Sequence, residues 1–174
     1  MIETGRLIIR PWRERDRAPY FALNADPEVR RYLGPAQSRA ESDAALDRQE
    51  AAQALHGHCF WALERRDDGV LIGFCGLLPG KPPIEGKIEI GWRLGRANWQ
   101  QGYAREAAEA CLAWGWANLS VPAIYAITVP ANTASWGLME RLGMQRVPDG
   151  DFDHPELPEG DPLRQHITYA IDRP

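Results

Sequence analysis

The 174-residue chain has no apolar run approaching the roughly 18 residues that a bilayer-spanning helix requires, and a charge already stands at Glu3. Neither a membrane anchor, a secretory leader nor a membrane partner is expected. Cysteine is scarce: Cys59, Cys75 and Cys111 are odd in number, sit within apolar runs and lack the spacing of a metal site. The scarcity excludes a disulfide framework, gives no reason to expect a metal, and points to buried thiols in a reducing, cytoplasmic setting. Massed positive charge is missing too. Net charge is −4 with a pI near 5.6. Arg6, Arg10, Arg13, Arg15 and Arg17 interleave with Glu3, Glu14 and Asp16, as on a solvated surface of mixed charge. No nucleic-acid partner is expected. The chain also lacks internal repeats and low-complexity stretches.

What is present suffices for one domain over residues 1–174, with 44% hydrophobic and 25% charged residues. Arg6 to Trp12 alternates as a first strand that ends at Pro11, and helical patterns follow at Arg15 to Ala25, before an Asp-Pro stop, and at Ser42 to Leu55. Phe60 to Glu64 and Val70 to Leu78 flank Asp67-Asp68-Gly69 as a hairpin, and Ile84 to Leu94 adds a third antiparallel strand. The next helix, Ala104 to Asn118, sets Ala104, Ala107, Ala108, Cys111 and Gly115 on one small-residue stripe, so its axis can lie close to a sheet. Ala123 to Val129 then joins the preceding strand in parallel through this crossover helix. Thr133 to Leu142 is a helix stopped by Gly143, Pro148 to Pro162 is a long loop, and Gln165 to Ile171 is the last strand.

Between the third strand and the crossover helix stands Trp99-Gln100-Gln101-Gly102-Tyr103-Ala104. A glycine turn leading from strand to helix leaves backbone N–H groups unpaired at the positive end of the helix dipole, which suits phosphate. No Gly-Lys-Ser/Thr follows, so this is not a P-loop. Nor is it a dinucleotide turn: it has one glycine, it lies past mid-chain, and the next strand ends Thr128-Val129-Pro130 without an acidic residue.

The turn, together with Asn132, Ser135 and Leu142-Gly143-Met144, resembles the signatures of the GNAT superfamily of acetyl-CoA-dependent N-acetyltransferases, and most of all its RimJ/RimL-like branch. The resemblance covers nearly the whole chain. It implies a single α/β domain with a mixed sheet, an antiparallel N-terminal meander splayed from a C-terminal part, and about four flanking helices. It implies that the N–H groups of Gln100, Gln101, Gly102, Tyr103, Ala104 and Arg105 hold the pyrophosphate of acetyl-CoA, the co-substrate, and that the strand ending Trp92-Arg93-Leu94 pairs with the pantetheine amides. The family's turn usually opens on Arg or Gln. Trp99 departs from that pattern, which weakens the motif more than a mechanism that works through backbone. A β-bulge near Gly91 would open the ladder toward the ligand and offer an N–H to the thioester oxygen, a plain structural glycine being the alternative.

Ser135 lies on the core-facing stripe with Met139 and Leu142. By spacing alone its hydroxyl bonds a carbonyl of its own helix. The resemblance makes it instead the donor to the departing sulfur. Asn132 either caps that helix or bonds the cofactor. Glu89 alternates with Ile88 and Ile90, so its carboxylate faces away from them; by the strand pattern alone it is solvated or paired, and the resemblance makes it instead the acceptor of the amine's proton, directly or through water. The stretch from Asp149 to Asp161 holds six carboxylates and no Lys or Arg, and beside an acceptor site it would favour a cationic amine. His154, His166 and Tyr169 are lesser candidates for the same pocket. The reading is direct acetyl transfer to a primary amine, either a protein N-terminus or a small molecule, in a ternary complex without metal. Family habit makes a homodimer an expectation as well. Two alternatives stand: a non-catalytic acyl-CoA-binding or sensing module, and a transferase for a longer acyl group.

Overall fold

The computed structural model describes residues 1–174. Its strands are β1 (Ile2–Glu3), β2 (Leu7–Arg10), β3 (Phe60–Arg65), β4 (Leu71–Pro79), β5 (Ile88–Leu94), β6 (Ala123–Thr128), β7 (Gln145–Arg146), β8 (Phe152–Asp153) and β9 (Gln165–Asp172). Its helices are α1 (Arg17–Ala25), α2 (Pro27–Arg30), α3 (Arg39–His56), α4 (Tyr103–Asn118) and α5 (Thr133–Arg141). The strands run in the order β1-β2-β3-β4-β5-β6-β9-β7, with β8 added on β9.

Local chemistry sets these boundaries. Ser38 and Glu41 form a capping box in which the Ser38 N–H donates to Glu41 Oε2 (2.7 Å), so α3 starts at Arg39, three residues before the expected Ser42. It stops where Gly57 takes φ +76°. Asp26-Pro27, expected as a plain stop, ends α1 and opens the short α2. Asp26 Oδ1 accepts the Glu28 N–H at 2.8 Å, and Pro27 supplies the fixed φ of a first helical turn. The region 148–162, expected as loop alone, contributes β8. β1, β7 and β8, of two residues each, are too short to show any periodicity.

β2 to β5 form the antiparallel meander, and β5 meets β6 in parallel after the α4 crossover. α4 lies so close to the sheet that a β-carbon on Gly115 would stand 2.7 Å from Leu77 Cδ1 and 3.0 Å from Ile124 Cδ1. The small-residue stripe is thus the contact surface. Leu77, Ile90 and Ile124 face α4. Cross-strand partners share a face and neighbours along a strand alternate, so Phe74, Leu78, Glu89, Arg93 and Tyr125 face the other side, where α1 packs.

On that second side Arg10 is 2% exposed and its guanidinium is saturated. Asp16 takes it in a bidentate pair (2.6 and 2.9 Å), and Glu64 accepts from Nε (2.9 Å) and Nη2 (2.7 Å). These bonds hold the guanidinium above its ordinary pKa. Of the early arginines expected at a solvated surface, Arg10 is therefore buried within the fold. No helix is long and apolar enough to cross a membrane.

Candidate active site

β5 and β6 share only two register pairs, Ile88 with Ile124 and Glu89 with Tyr125. β5 continues to Leu94 and β6 to Thr128, so the sheet opens into a cleft beyond Glu89. The phase of the β4–β5 ladder shows which groups line it. Gly80 N–H donates to Lys87 O (2.8 Å) and Gly95 N–H to Ile72 O (2.9 Å), so the odd-numbered residues of β5 turn both backbone groups toward β4. Ile90, Trp92 and Leu94 turn theirs into the cleft. Of the expected Trp92-Arg93-Leu94, Arg93 is a correction. Its backbone faces Phe74, and its side chain lies on the α1 side. Ile90, which the sequence reading missed, takes its place.

No bulge interrupts β5 at Gly91. The β4–β5 register is continuous from Gly73 opposite Leu94 to Pro79 opposite Ile88. Gly91 serves a close approach instead, since a β-carbon there would lie 2.7 Å from Phe60 Cζ. The cleft opens because β6 diverges, and a bulge is not needed for it.

At the open end stands the glycine turn. The first intrahelical bond of α4 runs from Glu106 N–H to Gly102 O (3.1 Å), and the six N–H groups from Gln100 to Arg105 have no backbone acceptor. Gln100 and Gly102 both adopt left-handed backbone, φ +58° and +82°. Trp99 donates its indole N–H to Leu94 O (2.7 Å) and so ties the turn to the end of β5, occupying one of that carbonyl's two acceptor sites. Arg6 braces the turn from the β1–β2 connection. Its Nη1 donates to Gln101 O (2.9 Å), its Nε pairs with Glu106 (2.7 Å), and its guanidinium lies 4.5 Å from the centre of the Tyr103 ring. The exposed Arg105 is held by Glu109 on its own helix (2.8 Å).

Asn132 occupies the N-cap position of α5 without a side-chain capping bond, so its amide is free. Ser135 is half-buried one turn into α5, its N–H on Asn132 O (3.0 Å), and its hydroxyl has no partner in the protein. The bond to a carbonyl of its own helix is not made. α5 follows β6, so both residues stand at the end of the parallel β5–β6 pair where the turn lies. Open α/β sheets place ligands at that end.

Glu89 sits at the closed end of the cleft. Burial pushes its carboxyl up to about 7, with the Lys81 ammonium acting weakly in the opposite direction. A carboxyl held there is half ionised near neutrality, which suits a proton acceptor. The acidic segment is less acidic in effect than in sequence, because Asp151 pairs with Arg146 (2.6 Å) and Asp153 with Arg164 (3.1 Å). His166 and Tyr169 do not share a pocket: three positions apart on β9, they face opposite sides, and the Tyr169 hydroxyl bonds Glu140 on α5 (3.3 Å). His166 stacks near Phe152 and lies 5.1 Å, centre to centre, from the His154 ring.

Known proteins resemble the chain in both sequence and fold. The family model for an acetyltransferase (GNAT) domain matches residues 6–145. Bacillus subtilis (strain 168) YoaA, named an uncharacterized N-acetyltransferase, is 28% identical over 177 aligned positions, covering 100% of this chain and 97% of its own. The crystal structure of a GNAT-family acetyltransferase from Bacillus anthracis superposes with a TM-score of 0.81 at 25% identity, covering 99% of this chain and 98% of its own. RimL, a ribosomal L7/L12 alpha-N-protein acetyltransferase solved with coenzyme A, shares the fold alone, with a TM-score of 0.78 at 14% identity, covering 97% of this chain and 95% of its own.

Proposed function

The chain belongs to the GNAT acetyltransferase family, and we propose that it transfers an acetyl group from acetyl-CoA to a primary amine by direct attack in a ternary complex, as a member of the RimJ/RimL-like branch. The observation that carries the reading is a continuous path of unsatisfied groups. It begins at six unpaired N–H groups at a helix N-terminus, continues along the free edge of β5, and ends at Glu89.

Each part has a task that fits acetyl-CoA. The N–H groups from Gln100 to Arg105 receive the pyrophosphate, and Trp99 and Arg6 fix the turn so that those groups point outward. Ile90 and Trp92 offer a β-like edge to the pantetheine amides. The co-substrate, when bound, supplies an activated thioester. An alkyl amine has a pKa near about 10 and is mostly protonated at neutral pH, so a base must take its proton before it can attack. Glu89 does so, directly or through water.

Ser135 has a free hydroxyl on the side of α5 that meets the core and donates to the departing sulfur. The thiol is weakly basic, with a pKa close to the cysteine value of about 8.5, so the gain is modest. Ser135→Ala is expected to lower kcat by roughly 10- to 50-fold with the Kd of acetyl-CoA unchanged. Single-turnover rates at saturating acetyl-CoA measure this, and an unaltered rate removes Ser135 from the mechanism.

Thiol release from acetyl-CoA against a panel of amines and N-terminal peptides tests the function itself. Amine-dependent release is the expected result. Tight acetyl-CoA binding with no release for any amine would make the chain a sensing module, and faster turnover of propionyl- or succinyl-CoA would reassign the acyl group.

A further inference from the structure

The chain solves the problem of a buried arginine in two different ways. Arg10 is closed off by two carboxylates. Arg93, on the α1 face of β5, has none. Its Nη1 donates to Asn24 Oδ1 on α1, its guanidinium lies 5.0 Å from the centre of the Phe74 ring, and its Nε is sealed from solvent without a partner. Nη2 also lacks a protein partner and, unlike Nε, is not sealed. A second guanidinium stands close enough to act on the first: Arg30 at the end of α2 is held only by the carbonyls of Pro35 (2.9 Å) and Leu33 (2.8 Å). Burial lowers both from their ordinary values, Arg93 to about 10, so Arg93 stays charged at neutral pH. Glu41 acts on Arg30 as a counter-charge, whereas no carboxylate acts on Arg93. A desolvated cation without a counter-ion is an arrangement that proteins avoid unless an anion completes it.

Arg93 shares its face of β5 with Glu89. Four residues along a strand separate their Cα atoms by about 13 Å, so the two stand at opposite ends of a stretch of this face, with Gly91 midway and the half-buried Phe60 ring lying over it. We infer that the acceptor amine also carries an anionic group, a carboxylate or phosphate several bonds from the nitrogen, which Arg93 receives through Nη2 with Arg30 in support. An α-amino acid, with both groups on one carbon, is too short to reach both ends. The inference rests on the acyl-transfer reading for the position of the amine beside Glu89.

The test is a matched series in the presence of acetyl-CoA: ω-amino carboxylates from glycine to 8-aminooctanoate, their amides, and the corresponding diamines. Thiol release should give the longer amino carboxylates a kcat/KM at least about 10-fold above their amides, the difference expected of a charge-assisted contact. Arg93→Gln should bring that ratio to within about 3-fold of unity while leaving the KM for acetyl-CoA unchanged, since loss of the contact removes binding common to ground and transition states. Wild-type protein that uses amides or diamines as well as carboxylates overturns the inference, with no substitution involved, so a misfolded variant cannot protect it. Calorimetry separates the two layers. Charge-selective binding of the amino carboxylate, lost in Arg93→Gln but without thiol release, upholds the anion site and overturns acyl transfer. Thiol release without charge preference keeps acyl transfer and overturns the anion site, and binding without charge preference overturns it as well.

Discussion

Glu89→Gln is expected to lower kcat/KM by about 10³-fold at pH 7 and to abolish the acidic limb of the pH–rate profile. In the wild type the carboxyl is pushed up to about 7 by burial, so the rate should climb with unit slope below pH 7 and flatten above it as the base becomes ionised. The glutamine has nearly the same shape and no proton to exchange, so its residual rate should follow only the ionisation of the amine. A pH–rate series from pH 5.5 to 9 on both proteins measures this. A limb near pH 7 that survives in the variant would assign the base elsewhere.

The same shift has a stability consequence of opposite sign. A carboxyl with a folded-state pKa above its unfolded value near 4.5 binds its proton more tightly when folded. The protein therefore loses stability as pH rises from about 4.5 through about 7, with no further loss above that and none below the unfolded value. The cost at pH 8 is on the order of 2 kcal/mol, discounted for the carboxyl's partial access to solvent. Urea unfolding at pH 8 should accordingly find Glu89→Gln more stable than wild type, with the gap closing by pH 4.5. A residue whose removal raises stability and destroys activity is retained for chemistry.

Much of this site was legible because its signals are local. The strand–turn–helix sequence around Gly102, the alternation that puts Glu89 opposite Ile88 and Ile90, and the small-residue stripe of α4 each depend on spacing within one element. What was not legible depends on partners far along the chain. Arg6 meets Gln101 and Glu106 across about a hundred residues, and nothing near Arg6 distinguishes it from a surface arginine. Trp99 looked like a departure from the family turn, yet its indole N–H reaches back to Leu94 and makes it a part of the turn's construction. Arg93 enters the cofactor set only through the family resemblance, which names the strand end as a whole. Which way a strand residue turns its backbone follows from the phase of the ladder with β4, and two bonds, at Gly80 and Gly95, set that phase. The bulge expected at Gly91 failed for a related reason: the glycine makes room for Phe60 from β3, a contact that β5 alone does not announce.

Gly102→Val is expected to raise the KM for acetyl-CoA by about 10²-fold or more while kcat at saturation changes by less than about 3-fold, the pattern of a contact that holds ground state and transition state alike. Gly102 takes φ +82°, a region that a β-branched side chain avoids at a cost of about 1–3 kcal/mol. A β-carbon there would also stand 3.3 Å from Arg6 Nη2. The backbone can relieve that strain only by rotating the N–H groups on either side of residue 102, and these are the groups proposed to receive the pyrophosphate. Gln100 sits at φ +58° two positions earlier, so the turn already holds one unfavourable conformation and has little room for a second. The damage should stay local, because α4 keeps its small-residue contacts with Leu77 and Ile124. Thermal unfolding of the variant should therefore shift by only a few degrees, and acetyl-CoA should no longer stabilise it at concentrations that stabilise the wild type. If Gly102→Val instead lowered kcat with the KM for acetyl-CoA intact, the turn would be acting on the reacting atoms, and the division between an anchoring turn and a catalytic Glu89 would fall.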